Sequence, residues 1–246
     1  MHALVNSHRL HYRREGRGPA VVFVHALGCA LALWDPQARA FADRFETVRY
    51  DVRGHGQSDP PAGPFTFDDL ASDLRALLDV LQIERAHLIG SSMGGVIVRL
   101  FALQHPDRTA SLVLCSTMAR LPSDAAERWR ERAQRVRELG IDAIVEQSLA
   151  HWFSPSALEA RTDAVQKTRR MLERTSTAGY LAVCNAVPGL DFHARHAEIR
   201  APTLVIAGGA DPGRRAQDPE ALVRAIPGAV FRVIPAVGHF PHLEAP

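Results

Sequence analysis

Apolar residues fall along this chain in two rhythms, short unbroken runs and stripes at helical spacing. Residues 20–25 (AVVFVH) are apolar until the last position, the pattern of a strand covered on both faces. Residues 47–51 (TVRYD), 86–90 (AHLIG), 111–115 (SLVLC), 203–207 (TLVIA) and 230–234 (VFRVI) read as further strands. Leu70, Leu74, Leu77, Leu78 and Leu81 share one face at helical spacing and predict a helix over 67–81. A second helix is expected over 94–105, closed by Pro106, and a third over 219–226. Residues 3–5 and 9–12 form a short hairpin around Asn6-Ser7.

Strands that alternate with helices, each nearly all apolar, specify an α/β fold with a mainly parallel central sheet. The alternation breaks between Arg120 and Asp191, where the pattern is helical throughout. One domain with an insertion is therefore expected: a core of 1–119 and 192–246, and a helical cap of 120–191. In open α/β sheets ligands bind at the carboxyl edge of the strands, and a cap is expected there. The chain ends at Leu243-Glu244-Ala245-Pro246, where one more helix would be expected.

Composition narrows the function. At 246 residues, 46% hydrophobic and 23% charged, the chain is an ordinary globular protein. A net charge of +2 gives no reason to expect nucleic acid as a partner. Many of the arginines lie between Arg120 and Arg174 among glutamates, as on a solvated helix face. Cys29, Cys115 and Cys184 are far apart and form no CxxC, so free thiols in a reducing cytoplasm are expected. Neither a signal-peptide apolar stretch nor a membrane span is legible, so no membrane partner is expected.

The chemistry concentrates at three places. Gly90-Ser91-Ser92-Met93-Gly94 fits G-x-S-x-G directly after a predicted strand and before a predicted helix. A turn that tight holds a hydroxyl out above the sheet and aims helix N–H groups at charge forming beside it. The spacing selects Ser92 over Ser91. An alcohol at neutral pH needs a base. His239 lies after the last predicted strand and is the candidate, with His242 its nearest rival among twelve histidines. Asp211, after the 203–207 strand, is the candidate to orient that base; its other reading is an Asp-Pro turn, with Asp218 the fallback. An oxyanion is expected to meet two backbone N–H groups, of Leu27 and Met93. The histidine pairs at 8/11, 193/196 and 239/242 lack the H-E-x-x-H form, and no metal or organic cofactor is expected.

From about Ala20 onward the chain resembles the α/β-hydrolase superfamily. The order Ser, Asp, His is the superfamily's own, and Asp51-Val52-Arg53-Gly54-His55-Gly56-Gln57-Ser58 is similar to its D-x-R-G-x-G-x-S loop. His25-Ala26-Leu27-Gly28 stands where H-G-x-x is usual. Within the superfamily the chain resembles the 3-oxoadipate enol-lactonases. Leu27-Gly28 with Leu33-Trp34-Asp35-Pro36-Gln37 is similar to that family's first loop and helix. Leu114-Cys115-Ser116-Thr117-Met118-Ala119-Arg120 is similar to its L-C-N-T-A-A-R. His151-Trp152-Phe153 is similar to a cap R-W-F, and Gly179-Tyr180 with Cys184 to G-Y-x-x-x-C. Two stretches depart from it: Gly238-His239-Phe240-Pro241-His242 replaces S-H-I-S-N, and Pro212-Gly213-Arg214-Arg215 is more charged than the family's.

The resemblance implies a small-molecule ester or lactone substrate, opened through an acyl-enzyme on Ser92. That substrate carries a carboxylate, for which Arg120 at the sheet-to-cap junction is the candidate partner, with Trp152 as a wall of the pocket. A broad esterase with the same triad, a perhydrolase and a hydrolase-fold receptor for a small ligand remain alternatives.

Overall fold

The computed structural model describes residues 1–191 and 193–246; residue 192, the expected start of the second core segment, lies outside the described residues. Eight strands form one sheet in the order β1-β2-β4-β3-β5-β6-β7-β8. The hairpin β1 (His2–Val5) and β2 (His8–Glu15) lies at one edge. Asn6 and Ser7 both take positive φ, 46° and 69°, as a two-residue turn matched to strand twist requires. β2 also pairs antiparallel with β4 (Glu46–Tyr50). All remaining pairings are parallel: β3 (Ala20–Val24), β5 (Ala86–Ser91), β6 (Thr109–Cys115), β7 (Thr203–Gly208) and β8 (Val230–Ile234). Every residue of β3 is buried, which accounts for its unbroken apolar run.

Helices cover the sheet. α1 (Asp35–Phe41) follows a 3-10 turn, and α2 (Phe67–Val80) turns its leucine stripe inward, with Leu70, Leu74, Leu77 and Leu78 fully covered. Thr66 caps α2 reciprocally with Asp69. α3 (Met93–Gln104) is buried over nearly its whole length. Between β6 and β7 come α4 (Ala125–Leu139), α5 (Asp142–Trp152), α6 (Pro155–Glu159), α7 (Asp163–Glu173) and α8 (Thr177–Ala186). Three short helices complete the chain: α9 (Arg214–Gln217), α10 (Pro219–Ala225) and α11 (Pro241–Glu244). A full C-terminal helix was expected from the sequence; the described chain carries only the single turn of α11. Among the described residues no helix is long and apolar enough to cross a membrane.

The order of the strands positions the site. β3 is flanked by β4 on one side and β5 on the other, so the chain reverses its direction of winding there. A crevice opens at the carboxyl edge of such a switch point. Residues 25–28 leave β3 at that edge and Ser92 leaves β5 beside them.

Candidate active site

Ser92 sits at φ 51°, ψ −110°, a backbone state that non-glycine residues avoid. Its N–H donates to Cys115 O at 2.9 Å, and its carbonyl accepts from Thr117 Oγ1 at 2.8 Å, so the end of β6 and the loop after it hold the turn. A Cβ added at Gly94 would overlap Val24 O, and one at Gly90 would overlap the Gly94 carbonyl. Only glycines permit this close crossing, which explains the spacing around the serine. Ser91 is fully buried and its Oγ has no hydrogen-bond partner among the described residues, whereas Ser92 lines a cavity of about 870 Å³.

His239 lines the same cavity. Its Nδ1–H donates to Asp211 Oδ2 at 2.8 Å, which leaves Nε2 as the acceptor nitrogen. Both side chains are buried. The Asp211 carboxylate also accepts from Gly213 N–H at 2.7 Å and from Gln217 Nε2 at 2.9 Å. Burial alone would raise the Asp211 pKa. The His239 contact, Gln217 and the Gly213 amide outweigh it and hold the carboxyl below its ordinary value. Asp218, the fallback acid, instead caps α10 through Ala221 N–H at 3.0 Å. His242, the rival base, stacks on Trp34 with ring centroids 4.0 Å apart, and both its ring nitrogens are buried without hydrogen-bond partners among the described residues.

Leu27, in the loop after β3, lines the cavity with Ser92, and Met93 opens α3 directly after it. The Leu27 N–H meets no acceptor among the described residues, and Met93 is the first residue of its helix, where the N–H has no intrahelical partner. His25 shapes the loop that carries Leu27. Its Nδ1–H donates to Ala26 O at 2.8 Å while its Nε2 accepts from Val52 N–H at 2.9 Å. Burial lowers its pKa, so it stays neutral and keeps both bonds. The 51–58 loop is structural in the same sense. Asp51 takes the N–H groups of Leu31 and Gln57 and the Nδ1–H of His11, and Arg53 forks onto Asp73.

Residues of α4, α5 and α8 form the far wall, including Trp129, Ile144, Trp152 and Tyr180. Trp152, the aromatic expected near the substrate, lines the cavity. Arg120 does not. It is exposed and borders a small hollow with Leu190 and His193, while the next two residues, Leu121 and Pro122, line the main cavity. The cations on the cavity wall are Arg128, Arg132, Arg135 and Arg215. His151 lines it too; burial first, then the charge of His239, lowers its pKa, so it is neutral at neutral pH. Gln217 and His151 escaped the sequence reading. Gln217 is six residues from Asp211 with no motif around it, and only the turn of α9 returns its amide to the carboxylate. Among the described residues no three His, Cys, Asp or Glu side chains converge as metal ligands would.

Comparison with known proteins agrees with this fold. A family model describing the α/β hydrolase fold matches residues 19–246. The chain is 35% identical over 239 residues to 3-oxoadipate enol-lactonase 2 of Acinetobacter baylyi, covering 96% of this chain and 88% of that one. The crystal structure of the enol-lactonase from Burkholderia xenovorans LB400 superposes with a TM-score of 0.92 at 35% identity, covering 99% of this chain and 94% of that one. A thermophilic esterase from Thermogutta terrifontis superposes at 0.91 with 30% identity, covering 99% and 92%. The chain belongs to the α/β-hydrolase family, and in sequence and fold it is similar to the 3-oxoadipate enol-lactonases.

Proposed function

We propose that the protein is a serine ester hydrolase that opens 3-oxoadipate enol-lactone to 3-oxoadipate. The observation that carries this reading is the strained Ser92 in one cavity with a buried, hydrogen-bonded Asp211–His239 pair. The 35% identity to an enol-lactonase over nearly the whole chain supports the choice of substrate.

In this mechanism Ser92 Oγ attacks the lactone carbonyl as its proton passes to His239 Nε2. Asp211 holds the imidazole in the required tautomer and stabilises the imidazolium. The N–H groups of Leu27 and Met93 receive the oxyanion. The ring C–O bond then breaks, and the leaving enolate takes the proton from His239. An enol leaves more readily than an ordinary alcohol, so this step asks little of the acid. Water attacks the acyl carbon as His239 takes its proton; the bond from the acyl carbon to Ser92 Oγ breaks, Oγ receives that proton back from His239 and the acid leaves, while the enol tautomerises to the ketone. Acyl transfer of this kind needs no metal or organic cofactor, and EDTA leaves the rate unchanged. The helices of 120–191 act as a cap that closes the cavity over the strand ends.

The test compares kcat/KM for the enol-lactone with that for p-nitrophenyl acetate. A lactone value no better than the aryl ester's replaces this reading with a broad esterase, the activity named for the Thermogutta relative.

A further inference from the structure

Beneath the Ser92 turn a buried cation, a hydroxyl and a backbone amide are joined end to end. Arg99 of α3 is fully buried. Burial lowers its pKa to about 9, and it keeps its charge at neutral pH. Its Nε–H donates to Gly95 O at 3.1 Å, and Nη2 donates to Met118 O at 2.7 Å and to Thr117 Oγ1 at 3.3 Å. Nη1 lies 3.0 Å from His196 Nε2, and because a guanidinium only donates, the imidazole accepts. Burial first, then the charge of Arg99, pushes His196 down to about 3, so the ring stays neutral and able to accept.

Thr117 is buried, and its single hydroxyl proton goes to Ser92 O at 2.8 Å. Its oxygen accepts from Arg99, and a cation there strengthens what the hydroxyl donates onward. Two local features bring the hydroxyl to this place. Ser116 at φ 44° bends the chain at the end of β6, and a Cβ on Gly95 would overlap the Thr117 side chain. The other donor to the Ser92 carbonyl, Val96 N–H, is farther away at 3.3 Å.

The Ser92 carbonyl and the Met93 N–H belong to one planar trans peptide, so a group that holds the oxygen also aims the N–H at the opposite end. A hydrogen bond accepted by the oxygen polarises the amide and makes its N–H a stronger donor. A strained turn persists only where its surroundings over-determine it, and Thr117 does so at this peptide.

We propose that Thr117, backed by Arg99, is a positioning residue for the oxyanion hole, aiming and strengthening the Met93 N–H through the peptide it shares with the Ser92 carbonyl. This rests on the serine-hydrolase reading above.

The test uses Thr117→Val, which keeps the shape without the hydroxyl, and Thr117→Ser, which keeps the hydroxyl; Thr117→Ala is a second hydroxyl-free variant should the valine not fold. With p-nitrophenyl acetate, loss of the hydroxyl lowers kcat about tenfold and leaves KM within about twofold, as for an interaction made in the transition state. An alkyl trifluoromethyl ketone, whose adduct on Ser92 carries an oxyanion, loses affinity by about the same factor. Thr117→Ser recovers most of both. In the wild type, the amide proton of Met93 moves downfield in the NMR spectrum when the ketone binds. A folded hydroxyl-free variant that matches wild type in kcat and ketone affinity, a loss that Thr117→Ser does not recover, or a Met93 amide that does not move in the wild-type adduct overturns the positioning role alone. A wild type that neither hydrolyses the ester nor binds the ketone overturns the hydrolase reading, and the positioning role with it.

Discussion

Gln217 lies against both Asp211 and His239. Its Nε2 lies 2.9 Å from Asp211 Oδ2 and 3.1 Å from His239 Nδ1. Since Nδ1 donates to Asp211, only the carboxylate contact is a hydrogen bond, and the amide acts by keeping Asp211 ionised and in place. Gln217→Ala is expected to lower kcat by about tenfold, in line with the roughly 1.5–3 kcal/mol typical of a hydrogen bond to a charged group. Gln217→Glu is expected to do more harm. A second carboxylate beside Asp211 favours imidazolium, which cannot accept the Ser92 proton. The acidic limb of the kcat/KM profile therefore moves to higher pH, and a pH–rate series on the two variants reads this. Identical profiles for Gln217→Glu and wild type would assign the amide a packing role only. The serine was legible in the sequence because everything that makes it special is local: a strand, two glycines and a helix within a few residues. Gln217 was not, because its meaning depends on how α9 rotates against partners far away in the chain.

At the scale of elements, three contacts join the helices of 120–191 to the loops of the site. Gly54 of the 51–58 loop and Gly179 of α8 approach so closely that a Cβ on Gly179 would overlap the Gly54 carbonyl. The His239 N–H donates to Trp152 O at 2.7 Å, so the base loop hangs from the end of α5. Glu244 of α11 accepts from Gly238 N–H at 2.7 Å and from the hydroxyl of Ser154, tying the same loop to the start of α6. Gly179→Ala forces α8 away from the loop and is expected to destabilise the fold by about 1–3 kcal/mol, as overpacking does; urea denaturation measures it. Glu244→Ala frees the His239 loop and is expected to lower kcat more than Ser154→Ala, which leaves the Gly238 N–H bond to Glu244 in place; equal losses of kcat in the two variants would contradict this. The strands and α2 could be read from periodicity because each buries a continuous face. The cap offered weaker signals. Its helices carry many exposed arginines, and Arg120 is next in sequence to the cavity residues Leu121 and Pro122 while its own side chain is exposed to solvent.

Across the whole molecule, buried neutral histidines set the response to acid. Burial pushes His55 and His242 down to about 3 from an ordinary 6.5. Below pH 6.5 the unfolded chain takes up protons that the native state refuses, so stability falls as pH drops from there towards 3. The slope is roughly 1.4 kcal/mol per pH unit for each such group. His242→Phe keeps the stack on Trp34 and removes two unpartnered nitrogens. It is expected to flatten the loss of stability between pH 6 and pH 4.5, followed by urea unfolding; an unchanged slope would show that His242 titrates freely. The α/β architecture itself was written in the alternation of strands and helices, with the strand order and the β3/β5 crevice supplied by the right-handed winding that such units obey.

The account stands on Ser92 as the atom that carries the acyl group. Labelling with a fluorophosphonate, followed by intact-mass and peptide-level mass spectrometry, addresses this directly. One phosphonyl adduct per chain on the peptide bearing Ser92, abolished in Ser92→Ala together with at least a thousandfold loss of kcat, is the expected result. An adduct on Ser91, or a Ser92→Ala variant that keeps near wild-type turnover, would contradict it.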